Sequence, residues 1–245
     1  MALRVTFIGS GNAFADGGRS HACIHVSAPG VSLLLDCGGS SLPAIKREVD
    51  PEAIDAIAIS HLHGDHFAGI PFFILDAQLV SKREKSLLIA GPPGTRQRIL
   101  EALEVLFPGS SRVQRKFETE FVELEAGSPV QITECTLSAF EVAHASGAPA
   151  YALRVDIGGR TIAYSGDTEW TDTLVDSARG ADLFVCEAYY FDKKMKYHLD
   201  YATLASHRAA LDCKRMIVTH MSADMLARLP ELGIEAAHDG MVVEL

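Results

Sequence analysis

The strongest constraint in this sequence is the segment Ser60–Phe67, which places three histidines and one aspartate within six consecutive positions. They are His61, His63, Asp65 and His66. The segment follows Ile54–Ile59, an apolar run that predicts a buried strand. If the chain stays extended past this strand, His61 and His63 point the same way, and Asp65 and His66 lie where the chain turns. Because imidazole and carboxylate are ligands that zinc and similar metals prefer, the segment predicts a metal centre with ligand pairs on two sides.

The pattern His-x-His-x-Asp-His after an apolar strand resembles the signature of the metallo-β-lactamase superfamily. Three more candidate ligands follow in the order of that family, each after an apolar run with strand character: His144, Asp167 and His220. The resemblance implies a first metal site made by His61, His63 and His144. It implies a second site made by Asp65, His66 and His220, with Asp167 bridging the two. The expected cofactors are two divalent metal ions, with zinc preferred and manganese or iron as alternatives.

The secondary-structure pattern is compatible with the fold of that family. Strands followed by helices occur in both halves of the chain, with a strand-rich stretch over 117–164 between them. A Gly158-Gly159 turn in this stretch is a hairpin signal. We therefore expect an α/β fold, an αββα sandwich of two mixed β-sheets flanked by helices, in a single domain over 1–245. One helix is predicted over Phe67–Val80.

Composition restricts the partners of the protein. The chain has 245 residues and a net charge of −10, with an isoelectric point near 5.4. Such a charge provides no general attraction for phosphate backbones, so structured nucleic acid is not an expected partner. No apolar run reaches the roughly 18 residues of a membrane span, and no basic leader is visible, which predicts a cytoplasmic protein without membrane association. Five scattered cysteines without a Cys-x-x-Cys pair predict buried free thiols.

A two-metal centre lowers the pKa of bound water, so hydrolysis by a metal-bound hydroxide is the expected chemistry. The superfamily serves many substrates, and other residues must select among them. Glu187-Ala188-Tyr189-Tyr190, followed by His198, resembles a segment of the ribonuclease Z group. In that group the histidine is thought to protonate the leaving oxygen and the glutamate to orient it. The resemblance implies these catalytic roles for His198 and Glu187, and a general-base role for Asp65 besides ligation.

Departures from the ribonuclease Z group restrict the substrate. That group carries a long basic arm for transfer RNA, whereas this chain has only a short hairpin between His144 and Asp167. The leading interpretation is therefore a phosphodiesterase for a small molecule: a cyclic nucleotide, a cyclic sugar phosphate or a short nucleotide. A hydrolase of carboxylic esters, lactones or thioesters and a tRNA 3′-processing endonuclease are the alternatives. A homodimer is implied by the resemblance alone.

Three further features receive a simple interpretation. Asp36 is interpreted not as a ligand but as a carboxylate that either supports the metal-binding residues, as carboxylates around metal sites commonly do, or braces its loop. The basic cluster Lys193-Lys194-Met195-Lys196 is interpreted as a solvated loop. His21 and His25 are placed at the surface of the protein.

Overall fold

A computed structural model describes residues 3–245 and contains two seven-stranded sheets. The first sheet consists of β1 (Arg4–Gly9), β2 (Cys23–Ala28), β3 (Val31–Leu35), β4 (Ala56–Ala58), β5 (Leu87–Gly91), β6 (Thr119–Glu123) and the last strand, β14 (Met241–Glu244). Its order is β14-β1-β2-β3-β4-β5-β6. Pairing is antiparallel from β14 to β3 and parallel from β3 to β6, so the sheet is mixed.

The second sheet has the same size and also mixes both pairing modes. It consists of β7 (Val130–Ile132), β8 (Cys135–Val142), β9 (Ala150–Ile157), β10 (Arg160–Tyr164), β11 (Ala181–Glu187), β12 (Cys213–Thr219) and β13 (Glu235–Ala236). Its order is β13-β12-β11-β10-β9-β8-β7. The strands β7 to β10 pair antiparallel, and β10 to β13 pair parallel.

Helices cover the outer face of each sheet. The first sheet carries α1 (Ser41–Glu48), the short α2 (Gly64–Phe67), α3 (Ile70–Leu79) and α4 (Thr95–Leu106), and the second carries α5 (Thr173–Ala178), α6 (Tyr201–Ser206) and α7 (Ala223–Ala227). Alternation along the strands sets these layers: Leu33 and Leu35 pack between the sheets, whereas Leu34 packs under the helices. The predicted αββα sandwich of two mixed sheets is confirmed.

The helix predicted over Phe67–Val80 is confirmed in α3, but its predicted start at Phe67 is wrong. The chain forms α2, breaks at Ala68-Gly69 and begins α3 at Ile70. Pro71 lies in the first turn of α3, where a missing N–H costs nothing, and it would interrupt a continuous helix. The N–H of Gly69 donates instead to the carbonyl of Cys37 at 2.9 Å. Asp65 and His66 consequently lie in a helical turn.

Two expectations from composition can be compared with the structure. Cys23, Cys37, Cys135 and Cys186 are buried free thiols as predicted, while Cys213 is half-buried and also free. Among residues 3–245, no helix has both the length and the apolar character to cross a bilayer.

The surface position expected for His25 is wrong. His25 lies in the middle of β2 and is only 7% exposed, with Nε2 at 2.9 Å from Ser32 Oγ. Burial lowers the pKa of His25 to about 4, although the carboxylate of Asp55 opposes part of this shift. The folded protein therefore keeps this imidazole neutral over most of the acidic range.

We expect His25 to make the protein sensitive to acid. The unfolded chain takes up a proton at this residue near pH 6.5, whereas the folded protein does so only near pH 4. Stability contributed by neutral His25 is thus present above pH 6.5 and is lost as the pH falls toward 4, by about 2 to 3 kcal/mol. Urea unfolding at pH 7 and pH 4.5 should show a steeper loss of stability for the wild type than for His25→Leu. Equal pH slopes for the two proteins would contradict this assignment.

Candidate metal centre

All seven predicted ligands lie beyond the carboxyl ends of strands at one edge of the sandwich. His61, His63, Asp65 and His66 follow β4, while His144, Asp167 and His220 follow β8, β10 and β12 respectively. The carboxyl ends of α/β sheets are the common location of ligand sites, because loops from several strands meet there. The fold therefore collects side chains that are far apart in the sequence.

The ligand atoms form two adjoining groups. Atoms of His61, His63 and His144 lie within 4.8 Å of one another, and so do atoms of Asp65, His66, Asp167 and His220. Asp167 joins the groups: its Oδ1 lies 3.3 Å from His66 Nε2, and its Oδ2 lies 3.2 Å from His220 Nε2 and 3.9 Å from His61 Nε2. The structure thus brings the seven predicted residues together, and they form the two groups that the family resemblance implied.

Three of the histidines are oriented by a hydrogen bond at Nδ1. His66 Nδ1 lies 2.7 Å from Asp36 Oδ2, and His144 Nδ1 lies 2.8 Å from the carbonyl of Tyr197. His61 Nδ1 lies 3.1 Å from Ser60 Oγ. Since each partner can accept a proton from Nδ1, Nε2 is the nitrogen that these rings present to the cluster.

Asp36 is the centre of the hydrogen-bond network behind the ligands. Its Oδ1 accepts from the Ser60 N–H at 2.7 Å, and its Oδ2 accepts from Ser60 Oγ at 2.8 Å and from the Tyr164 hydroxyl at 2.9 Å. Asp36 is fully buried and has a φ of 60°, a left-handed conformation that is strained outside glycine. The arrangement agrees with its interpretation as a carboxylate that supports the metal-binding residues.

Replacing Asp36 with asparagine should weaken metal binding without removing a ligand. The amide is a poorer acceptor for His66 Nδ1–H, and loss of such partners typically lowers metal affinity by about 10- to 100-fold. Competition of the protein with a chromogenic zinc chelator measures this loss. Asp50→Asn, an exposed helix-cap position, is the control and should leave the affinity unchanged. Equal affinities for Asp36→Asn and the wild type would contradict the role of Asp36.

Buried polar atoms without partners indicate what the cluster is built to hold. Of the atoms that face the cluster, His61 Nε2, His66 Nε2 and Asp167 Oδ1 are buried and lack a hydrogen-bond partner of good geometry among residues 3–245. Such orphaned atoms are rare in proteins unless an ion or water satisfies them. Their mixture of imidazole nitrogen and carboxylate oxygen fits divalent metal ions.

The pKa of His66 is shifted in the opposite direction from the pKa values of the three histidines in the first group. Burial is the main reason why the pKa of His61, of His63 and of His144 lies below its ordinary value, so all three are neutral. Burial also lowers the pKa of His66, but the neighbouring carboxylates, with Asp167 first, outweigh it and raise the pKa well above the ordinary value. The negative charge around His66 would equally attract a cation.

His198 lies beside the metal cluster and is held by Glu187. Its Nδ1 is 3.0 Å from Glu187 Oε2 and 3.9 Å from Asp167 Oδ2. Glu187 is completely buried, and its other oxygen accepts from the N–H of Thr168. Burial lowers the pKa of His198, but the hydrogen bond and charge of Glu187 outweigh it and bring the pKa to about 8. His198 also forms a close group with His144 and Asp167, so it faces the same space as the ligands.

Sequence reasoning missed several residues of the site. Tyr197, with a φ of 68°, anchors His144 through its backbone carbonyl, which no side-chain pattern could reveal. Tyr164 and Thr168 support Asp36 and Glu187, and both are neighbours of the Ser165-Gly166-Asp167 turn. Trp170, three residues after Asp167, lines a cavity next to His198. Tyr164, Thr168 and Trp170 lie within three residues of Asp167, and this proximity was the one signal in the sequence that could have indicated them.

The fold and the two-part ligand cluster define a metallo-β-lactamase type of protein. The family described as a beta-lactamase superfamily domain matches residues 32–221, and the chain belongs to this superfamily. The prediction that it is a hydrolase is confirmed by this membership and by its relatives.

Relatives and solved structures of similar fold span nearly the whole chain. A ribonuclease Z of Haloarcula marismortui is 27% identical and aligns over 99% of this chain and 94% of its own. Human tRNase Z, short form, is 25% identical, with a TM-score of 0.79 and coverage of 98% of each chain. A diphosphatase from the PhnP family, 20% identical, shares the fold with a TM-score of 0.76 over 99% of this chain and 98% of its own.

Proposed function

We propose that this protein is a dinuclear metal-dependent phosphodiesterase that hydrolyses a small phosphodiester. The observation that carries the proposal is the pair formed by buried Glu187 and half-buried His198, 3.0 Å apart, beside the ligand cluster. A thioester hydrolase has little need for a proton donor, because a thiolate leaves unprotonated. An alkoxide leaving group requires a proton, and an imidazole held by a carboxylate supplies one near neutral pH.

The ligand residues would hold two divalent ions, with zinc proposed, and these ions would activate water and neutralise charge on the phosphate oxygens. Asp65 is suited to accept a proton from the attacking water. Burial raises its pKa, but His66 and His220 outweigh burial, so the carboxylate stays ionised. His198 uses Nδ1 for Glu187, which leaves the N–H at Nε2 to protonate the departing oxygen.

The charge and the loops of the protein support a small substrate. The net charge of −10 opposes binding of long phosphate backbones. Between His144 and Asp167 the chain forms only β9 and β10, joined by the tight turn at Gly158-Gly159. No arm for transfer RNA is therefore formed at this point of the described chain.

The second candidate is tRNA 3′-end processing. It is supported by the similarity to the ribonuclease Z of Haloarcula marismortui and to human tRNase Z, each over at least nine-tenths of both chains. A precursor transfer RNA with a short 3′ trailer would be cleaved at the trailer junction if this candidate is right. If the protein hydrolyses small diesters but does not cleave this RNA, tRNA processing is refuted and the small-molecule phosphodiesterase proposal is retained.

The test of the proposed function is hydrolysis of bis(p-nitrophenyl) phosphate by protein loaded with zinc or manganese. We expect turnover that disappears when a chelator removes the metal and returns when zinc is added back. A fully loaded protein that does not hydrolyse this diester would overturn the proposal. Parallel assays with p-nitrophenyl acetate, a lactone and a thioester would then identify the alternative substrate class.

A further inference from the structure

A cavity of about 370 Å³ has His198 as one of its walls, and Glu187 does not line it. Its walls include Trp170, Met195, Lys196, His198 and Leu199. This volume lies within the range of small-molecule pockets in proteins. His198 is a wall of this cavity and also forms a close group with His144 and Asp167, so the cavity adjoins the candidate metal centre at His198.

The position of His198 determines what the cavity would receive, and this step rests on the proposed function. A proton donor must lie within hydrogen-bond reach of the oxygen that departs. The group attached to that oxygen therefore lies on the side of His198. Since the cavity has His198 as one of its walls, it is placed to receive the leaving group of the substrate.

An ordered aromatic ring forms one wall. Trp170 stacks on His207 with ring centroids 4.0 Å apart and an interplanar angle of 23°, which holds the indole in place. Trp170 is half-buried, so part of the ring remains available to the cavity. Met195 and Leu199 add apolar surface next to it. A planar aromatic group is the natural partner of such a wall, since indole stacking on bases contributes substantially to binding.

The rim of the cavity carries one lysine without a carboxylate partner. Lys194 is neutralised by Asp200, with Nζ at 2.8 Å from Oδ2. Lys196 has no carboxylate within 4.0 Å in residues 3–245, and its Nζ lies over the Tyr197 ring at 4.6 Å from the centroid. The carboxylate of Glu169 also lines the cavity and attracts Lys196 from beyond ion-pair distance, so the ammonium is not neutralised by a direct partner. Such a group attracts an anionic oxygen.

The segment that carries Lys196 is tied to the metal ligands. The His198 N–H donates to the Met195 carbonyl at 3.2 Å, which closes a turn over 195–198. The carbonyl of Tyr197 in this turn orients His144 at 2.8 Å, and Tyr197 has a strained φ of 68°. Lys196 is therefore held at a defined distance from the candidate metal centre. The interpretation of the basic cluster as a solvated loop does not account for the hydrogen bond that ties this turn to His144.

We infer that this cavity is the leaving-group subsite and that it takes a nucleotide: Trp170 contacts the base, and Lys196 contacts a phosphate of the leaving group. The substrate would then be a short linear nucleotide phosphodiester rather than a cyclic sugar phosphate. Trp170 and Lys196 are specificity-determining residues in this assignment. Adenosine 5′-monophosphate, with a base, a free 3′-hydroxyl and a 5′-phosphate, represents the released leaving group.

Trp170 is the single tryptophan of the chain, so its fluorescence reports directly on this cavity. Zinc-loaded protein is titrated with adenosine 5′-monophosphate, and we expect saturable quenching of the emission. Ribose 5-phosphate, which keeps the phosphate but lacks the base, should cause no quenching. Lys196→Gln should raise the Kd for adenosine 5′-monophosphate about tenfold. Lys193→Gln, a neighbour that lies outside the cavity, should change the Kd by less than about twofold.

Equal responses to the two phosphates, or equal Kd values for Lys196→Gln and Lys193→Gln, would overturn the subsite. Hydrolysis of bis(p-nitrophenyl) phosphate by the same samples separates the two proposals. Turnover without nucleotide quenching refutes the subsite alone. Absence of turnover in the loaded wild type refutes the proposed function, whatever the fluorescence shows.

Discussion

His198→Ala should lower kcat for an alkyl phosphodiester, such as the dinucleotide thymidylyl-thymidine, by about 10³-fold. Hydrolysis of bis(p-nitrophenyl) phosphate should fall by less than about tenfold, because nitrophenolate departs as a stable anion and needs no proton. The difference follows from the position of His198, whose Nδ1 is occupied by Glu187 and whose Nε2 is free for the departing oxygen. Steady-state kinetics on both substrates, with the zinc content of each sample, measures it.

The control for this experiment is His238→Ala. His238 is exposed and bonds only to the backbone of its neighbour Asp239, so its loss should leave both rates unchanged. Glu187→Gln tests the orienting role and should slow the alkyl substrate by about 10- to 100-fold with a smaller effect on the nitrophenyl substrate. If His198→Ala slows both substrates equally and also loses zinc, His198 is a ligand and the proton-donor role is refuted.

Asp167→Asn should reduce turnover of any substrate by at least about 10³-fold and should lower the zinc content from two ions per chain to one or fewer. Asp167 is the residue whose two oxygens approach both ligand groups, with Oδ1 at 3.3 Å from His66 Nε2 and Oδ2 at 3.9 Å from His61 Nε2. An amide keeps the shape of the side chain but removes the negative charge that two adjacent cations require. Elemental analysis and steady-state kinetics measure the two effects.

Asp182→Asn is a matched control for this substitution. Asp182 is also a buried carboxylate, but it is paired with Arg160 at 2.9 Å and Lys214 at 2.8 Å, away from the ligand cluster. Its replacement should cost stability while the folded protein keeps its zinc and its activity. Full zinc content and normal turnover in Asp167→Asn would contradict the bridging position.

Local spacing in the sequence was sufficient for part of the site. His61, His63, Asp65 and His66 lie within six residues, so short-range geometry alone predicts that they share a cavity. The αββα layers also follow from local alternation, as in β3, where Leu34 faces the helices and its neighbours face the other sheet. Hydrophobic periodicity is a local property, and this is why it can be read without a structure.

The tertiary structure decided what depends on contacts between distant segments. Tyr164 reaches Asp36 across 128 positions of the sequence, and the Tyr197 carbonyl reaches His144 across 53. The burial of His25 and the break before Pro71 arise in the same way, since neighbouring strands and loops outweigh the local pattern. The sequence by itself determined the fold class and the chemical nature of the ligands. Only packing decided which backbone groups orient them and placed Trp170 beside His198, because these contacts exist solely when the strand ends meet at one edge.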